Sequence, residues 1–140
     1  MASAEKSIEI NVPVNTAYDE WRQYERFPQF MEGIEEVRKL DDRTLHWRAS
    51  IGGKEEEWDA RIIDEVPAER IAWQSIDGAT NAGVVRFEAI DAVTTRVNLQ
   101  LDYQPEGFIE KAGDMLGVVS RRVEGDLERF KEMVERKAAA

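Results

Sequence analysis

Apolar and polar positions along this chain follow two rhythms, one up to Tyr103 and another from Gly107 onward. In the first, Lys6 to Val12 sets Ile8, Ile10 and Val12 against Ser7, Glu9 and Asn11, the alternation of a half-buried strand. Pro13 ends that strand, and Asn15 is positioned to cap a helix. Val14, Ala17, Tyr18 and Trp21 then recur at helical spacing, which predicts a first helix reaching about Tyr24. Phe27-Pro28-Gln29-Phe30 breaks it and starts a short second helical turn, since proline suits a first helical position.

After Gly33 the pattern predicts six strands separated by turn signals: Ile34 to Leu40, Thr44 to Ile51, Lys54 to Val66, Arg70 to Ile76, Gly83 to Ile90 and Thr94 to Tyr103. Leu45, Trp47, Ala49 and Ile51 share one face of the second. Trp58, Ala60 and Ile62 share one face of the third, and Val97, Leu99, Leu101 and Tyr103 one face of the last. Gly52-Gly53 reads as a two-residue hairpin, and Asp77-Gly78 as another turn. Short connections favour an antiparallel meander with one dry face and one wet face.

From Gly107 to Lys137 the rhythm becomes helical. Phe108, Ala112, Met115, Leu116, Val119, Val123, Leu127, Phe130 and Val134 fall on one face of a helix roughly nine turns long. Glu110, Asp114, Arg121, Glu124, Glu128, Lys131, Glu132 and Glu135 take the other. So long an amphipathic helix needs a large apolar partner, and the strands supply it. Gly113, Gly117 and Gly125 lie inside it, fitting either close approach to the sheet or room for a ligand beside the helix. The class is α+β: a curved antiparallel sheet of about seven strands around a long C-terminal helix, with two short helices after the first strand.

Composition narrows the function. At 140 residues the chain is one domain, spanning 1–140, large enough to bury a core without staples. It has no cysteine, which excludes disulfides, zinc–thiolate sites and a thiol nucleophile. The net charge of -10 repels phosphate backbones, and the basic residues are scattered, so no nucleic-acid partner is expected. Met1 to Lys6 lacks the regions of a secretory signal, and no apolar run is long enough to span a bilayer. A cytoplasmic location is expected.

Three segments, in order, resemble the START-like helix-grip (SRPBCC) superfamily, especially its bacterial polyketide cyclase/dehydrase-like and coenzyme-Q-binding-like members. They are Ile8-Glu-Ile-Asn-Val-Pro-Val-Asn-Thr-Ala-Tyr-Asp-Glu-Trp21, Arg26-Phe-Pro-Gln-Phe-Met31, and Tyr103-Gln-Pro-Glu-Gly-Phe108 leading into the long helix. The resemblance covers essentially the whole chain. It implies a deep apolar cavity between sheet and helix, and a binder of lipids, isoprenoids, polyketides or similar molecules. It does not imply a shared reaction.

Candidate chemistry is sparse. The single histidine, His46, lies on the strand face opposite Trp47, away from the expected cavity. No histidine pair or calcium-loop spacing suggests a metal, and neither nucleotide-binding glycine fingerprint occurs, so no cofactor is expected. Glu55-Glu56-Glu57 reads as a solvated strand edge, although alternation puts Glu56 on the Trp58 side. Arg22 and Arg86 are either rim cations for an anionic headgroup or ordinary surface residues. Trp47, Trp58 and Trp73 share inward parity on three successive strands, as core or as cavity wall. The expected ligand-binding lining is Phe30, Trp47, Trp58, Trp73, Phe87, Leu99, Tyr103, Phe108, Met115 and Val119, with Asp77 to Ala82 and Phe27 to Gly33 as lids. Tyr103 and Glu56 are the candidate catalytic groups.

Three functions fit. One is binding, as carrier or sequestering protein, of a hydrophobic small molecule. The second is an aromatase/cyclase or dehydrase acting on a poly-β-keto precursor. The third is a protein-interaction or stress-related module.

Overall fold

The computed structural model describes residues 2–51, 54–78, 80–103 and 115–139. Seven strands form one antiparallel sheet in the order β1-β7-β6-β5-β4-β3-β2. They are β1 (Ala2–Ile10), β2 (Ile34–Lys39), β3 (Thr44–Ile51), β4 (Lys54–Val66), β5 (Arg70–Gly78), β6 (Asn81–Asp91) and β7 (Thr94–Tyr103). The first two strands in sequence thus lie at opposite edges. The chain between them must cross a face of the sheet, carrying helix α1 (Val14–Trp21) and a 3₁₀ helix (Tyr24–Gln29) with it. Helix α2 (Met115–Ala139) lies against the same dry face.

β3, β4 and β7 keep their predicted limits; other boundaries move for physical reasons. β1 begins at Ala2, because β7 continues to Tyr103 and offers Ala2 a partner there. Helix α1 starts at Val14 after an extended Pro13, so Asn15 sits in the first turn and caps nothing. It stops at Trp21, and the segment holding Pro28 winds as a 3₁₀ helix that buries Tyr24 and Phe27. Gly78 is no turn. It stays paired with Trp58 at φ +87, and a Cβ there would lie 2.3 Å from the Glu57 carbonyl oxygen. Only glycine permits that approach.

Irregularities curl the sheet. β4 shifts register against β5 at Asp59/Ala60 and again at Ile62/Asp64, and each bulge bends the strand and increases its twist. The concave face grips α2 through Val123, Leu127, Phe130 and Val134, all buried. α2 also covers the open edge of β1: Lys131 Nζ donates to the Glu9 carbonyl at 2.9 Å, and Asn11 N–H donates to Glu135 at 2.8 Å. An edge strand covered by a helix in this way is protected from pairing with other chains. Gly52-Gly53, Phe108 and Gly113 lie outside the described residues. Gly125 does not approach the sheet. A Cβ there would meet the Arg129 guanidinium at 3.1 Å.

Candidate functional site

The space between sheet and α2 divides into a solid part and a hollow part. Trp21, Phe27, Phe30 and Phe130 fill the first, with ring centroids 5.0 Å apart for Trp21–Phe130 and 5.1 Å for Phe30–Phe130. Phe30 therefore belongs to this plug and does not line the hollow, because Trp21, Phe27 and Phe130 enclose it. Phe87 is buried under α1, edge-on to Tyr18 at 5.6 Å, and is likewise absent from the cavity wall. Strand parity places both residues on the dry face; the crossing segment decides which part of that face each one serves.

Beside the plug lies a cavity of about 120 Å³. Trp47, Trp58, Trp73, Leu99, Tyr103 and Val119 of the expected lining all reach it, together with Tyr24, Phe27, Met31, Ile62, Ile71, Leu101 and Val123. Trp47 and Trp58 are direct cross-strand partners and stack at 5.7 Å with 12° between their planes. Trp73 lies flat over Gly83, where a Cβ would sit 2.4 Å from its ring, so that glycine makes room for the indole. Phe108 and the Met115 side chain are outside the described residues.

Glu56 is half-buried, pairs with Lys54 at 3.4 Å and does not line the cavity. Arg22 is no rim cation either; it bonds Glu65 at 2.9 Å and lies over the Tyr18 ring. Arg86 is exposed. His46 sits on the outer face, its two ring nitrogens 2.6 Å from Asp59 and 2.9 Å from Glu57. Those carboxylates, Asp59 foremost, raise its pKa above the usual 6.5. Among the described residues no group of three or more Asp, Glu or His is arranged to hold a metal ion.

The polar part of the wall comes from Asp126 and Arg122, which the sequence reading passed over, and from Glu32 and Asn81, which belong to the two segments expected as lids. Asp126 is 9% exposed. Its Oδ1 accepts the Glu32 N–H at 2.9 Å and Arg129 Nη2 at 2.6 Å. Arg129 Nε donates to the Phe30 carbonyl at 2.8 Å, and Arg122 lies against Gly33, 3.8 Å from the Glu32 carboxylate. Together these contacts tie residues 30–33 to α2. Burial pushes the Asp126 carboxyl up to about 6, against the opposing pull of Glu32 N–H, Arg129 and Arg122. A signal for it existed: Asp126 follows Val123 by three positions and precedes Phe130 by four, so it lies on the apolar stripe.

The family described as polyketide cyclase/dehydrase and lipid transport matches residues 10–132. The chain belongs to that family. An uncharacterized 17.2 kDa protein of Streptomyces lincolnensis is 48% identical over 136 residues, covering 96% of this chain and 91% of its own. The ZhuI aromatase/cyclase of a Streptomyces species superposes with a TM-score of 0.81 at 20% identity, covering 98% of this chain and 95% of that one. A START superfamily protein of Mycobacterium smegmatis gives 0.71 at 15% identity, covering 96% and 95%. Those two likenesses show the helix-grip fold that the family shares. No helix among the described residues is long and apolar enough to cross a membrane.

Proposed function

We propose that this family member binds a hydrophobic small molecule, of lipid, isoprenoid or polyketide type, in the cavity between sheet and α2. The observation that carries this reading is a hollow walled by Trp47, Trp58 and Trp73 beside the packed ring cluster of Trp21, Phe27, Phe30 and Phe130. At about 120 Å³ it is near the size of an engineered apolar cavity that takes up benzene, and below the 300 Å³ where drug-sized pockets begin. It therefore seats one ring or a short stretch of chain, and a larger ligand extends past the wall or parts it. Native mass spectrometry of the purified protein, with solvent extraction of anything retained, tests the reading. A stoichiometric apolar adduct supports it. A clean mass, together with indole resonances that stay fixed on titration with single-ring hydrocarbons, overturns it.

A second reading, an aromatase/cyclase or dehydrase, is favoured by Asp126. A wall carboxyl with a pKa of about 6 is suited to hold or release a proton near neutrality. Turnover of a poly-β-keto thioester that disappears in Asp126→Asn, with binding retained, supports this reading; turnover that survives the substitution removes Asp126 from it.

A further inference from the structure

The sheet side of the cavity presents rings, and the helix side presents one buried carboxyl. Asp126 uses a single oxygen to hold residues 30–33: Oδ1 takes both the Glu32 N–H and Arg129 Nη2. Oδ2 accepts no hydrogen bond from any described residue. A carboxylate oxygen that no described donor holds, on a residue that lines an apolar cavity, is an acceptor open to any donor that enters. The clasp itself does not require that second oxygen, since an amide oxygen at the same place would accept the same two bonds. Burial of the group as a whole raises its pKa.

We propose that Asp126 Oδ2 accepts a hydrogen bond from the ligand, so that the site selects apolar molecules carrying a hydroxyl or N–H at one end over hydrocarbons of the same shape. This rests on the reading that the cavity is a binding site. The charges around Asp126 favour a neutral donor. Arg122 and Arg129 are already engaged, with Glu32 and with Asp126 respectively, and a ligand carboxylate would face both Asp126 and Glu32. A phenol, enol or alcohol meets no such repulsion.

A pair of ring compounds that differ only in the donor provides the test. p-Cresol and p-xylene, a hydroxyl against a methyl, are titrated near neutral pH into ¹⁵N-labelled wild-type protein and Asp126→Asn, following the indole N–H resonances of Trp47, Trp58 and Trp73. A wall without an acceptor favours p-xylene, because burying an unpartnered hydroxyl is unfavourable. The anchor predicts that wild-type protein binds p-cresol at least as tightly as p-xylene. It also predicts that Asp126→Asn weakens p-cresol roughly tenfold, as loss of a bond to a charged acceptor should, and leaves p-xylene within about twofold. Equal effects on both ligands, or none on either, overturn the anchor and leave the cavity reading standing. If neither ligand moves the indole resonances, the binding reading itself falls and the anchor with it. If the variant does not fold, the wild-type order decides: p-xylene bound more tightly than p-cresol overturns the proposal.

Discussion

Asp126 gives the fold a pH dependence opposite to that of most carboxylates. Its pKa rises from the ordinary 3.8 to about 6 on folding, chiefly because burial disfavours the charge. Between those values the folded state binds the extra proton, so stability falls as pH rises through the window and levels off above about 6. Fully developed, the shift corresponds to about 3 kcal/mol, and the part that accrues from about pH 4.5 to about pH 7.5 is about 2 kcal/mol. Asp126→Asn keeps the shape and an acceptor for Glu32 N–H and Arg129 but titrates nothing. Urea unfolding of both proteins across that range isolates the effect, since every other titration cancels in the difference. Relative to the variant, wild-type protein should lose about 2 kcal/mol as pH rises. A difference that stays flat, or that moves in favour of wild type with rising pH, refutes the claim that burial dominates at this site.

Other substitutions check other parts of the account. Trp58→Ala removes half of the Trp47–Trp58 stack from a site 6% exposed and should cost about 3–5 kcal/mol by urea unfolding while enlarging the cavity; a cost below about 1 kcal/mol would contradict this packing. Gly83→Ala places a methyl within 2.4 Å of the Trp73 ring, so the Trp73 indole resonance should move and stability should fall by about 1–3 kcal/mol; an unmoved resonance contradicts the placement. Gly78→Ala meets both φ +87 and the Glu57 carbonyl, and should destabilise by more than the ~1 kcal/mol usual for a glycine change that fits poorly. His46 gains Asp59 and Glu57 on folding, so its stabilisation is complete below the usual 6.5 and is lost as pH rises through the higher folded pKa. Its imidazole resonances should therefore titrate above 6.5, and in His46→Gln the pH dependence of stability over that window should flatten.

Alternation bounded by turn residues was readable along β3, β4 and β7, and this is why their limits stand as the pattern predicts. Ala2 to Glu5 alternates only through the small residues Ala2 and Ala4, a weak signal; it is strand because β7 extends alongside it, a fact that lies elsewhere in the chain. At Gly78 the sequence signal for a turn and the signal for a close backbone approach are the same residue, and only register separates them. Parity likewise found the cavity residues Trp47, Trp58, Trp73, Leu99 and Tyr103 but could not separate them from Phe87, because the crossing of α1 over β6 and β7 determines which part of the face is filled. Asp126 was legible in principle. Sorting helix residues by charge hid it; sorting them by angle around the helix places it inside, between Val123 and Phe130.

The central claim is that the hollow beneath Trp47 and Trp58 admits an apolar molecule. Its most direct test is diffraction from crystals soaked in 4-bromotoluene, with data collected at the bromine absorption edge. The account predicts one strong anomalous peak inside the cavity, between the Trp47–Trp58 pair and Val123 of α2. Bromine found only on the outer surface, or nowhere in the molecule at a saturating concentration, would contradict it.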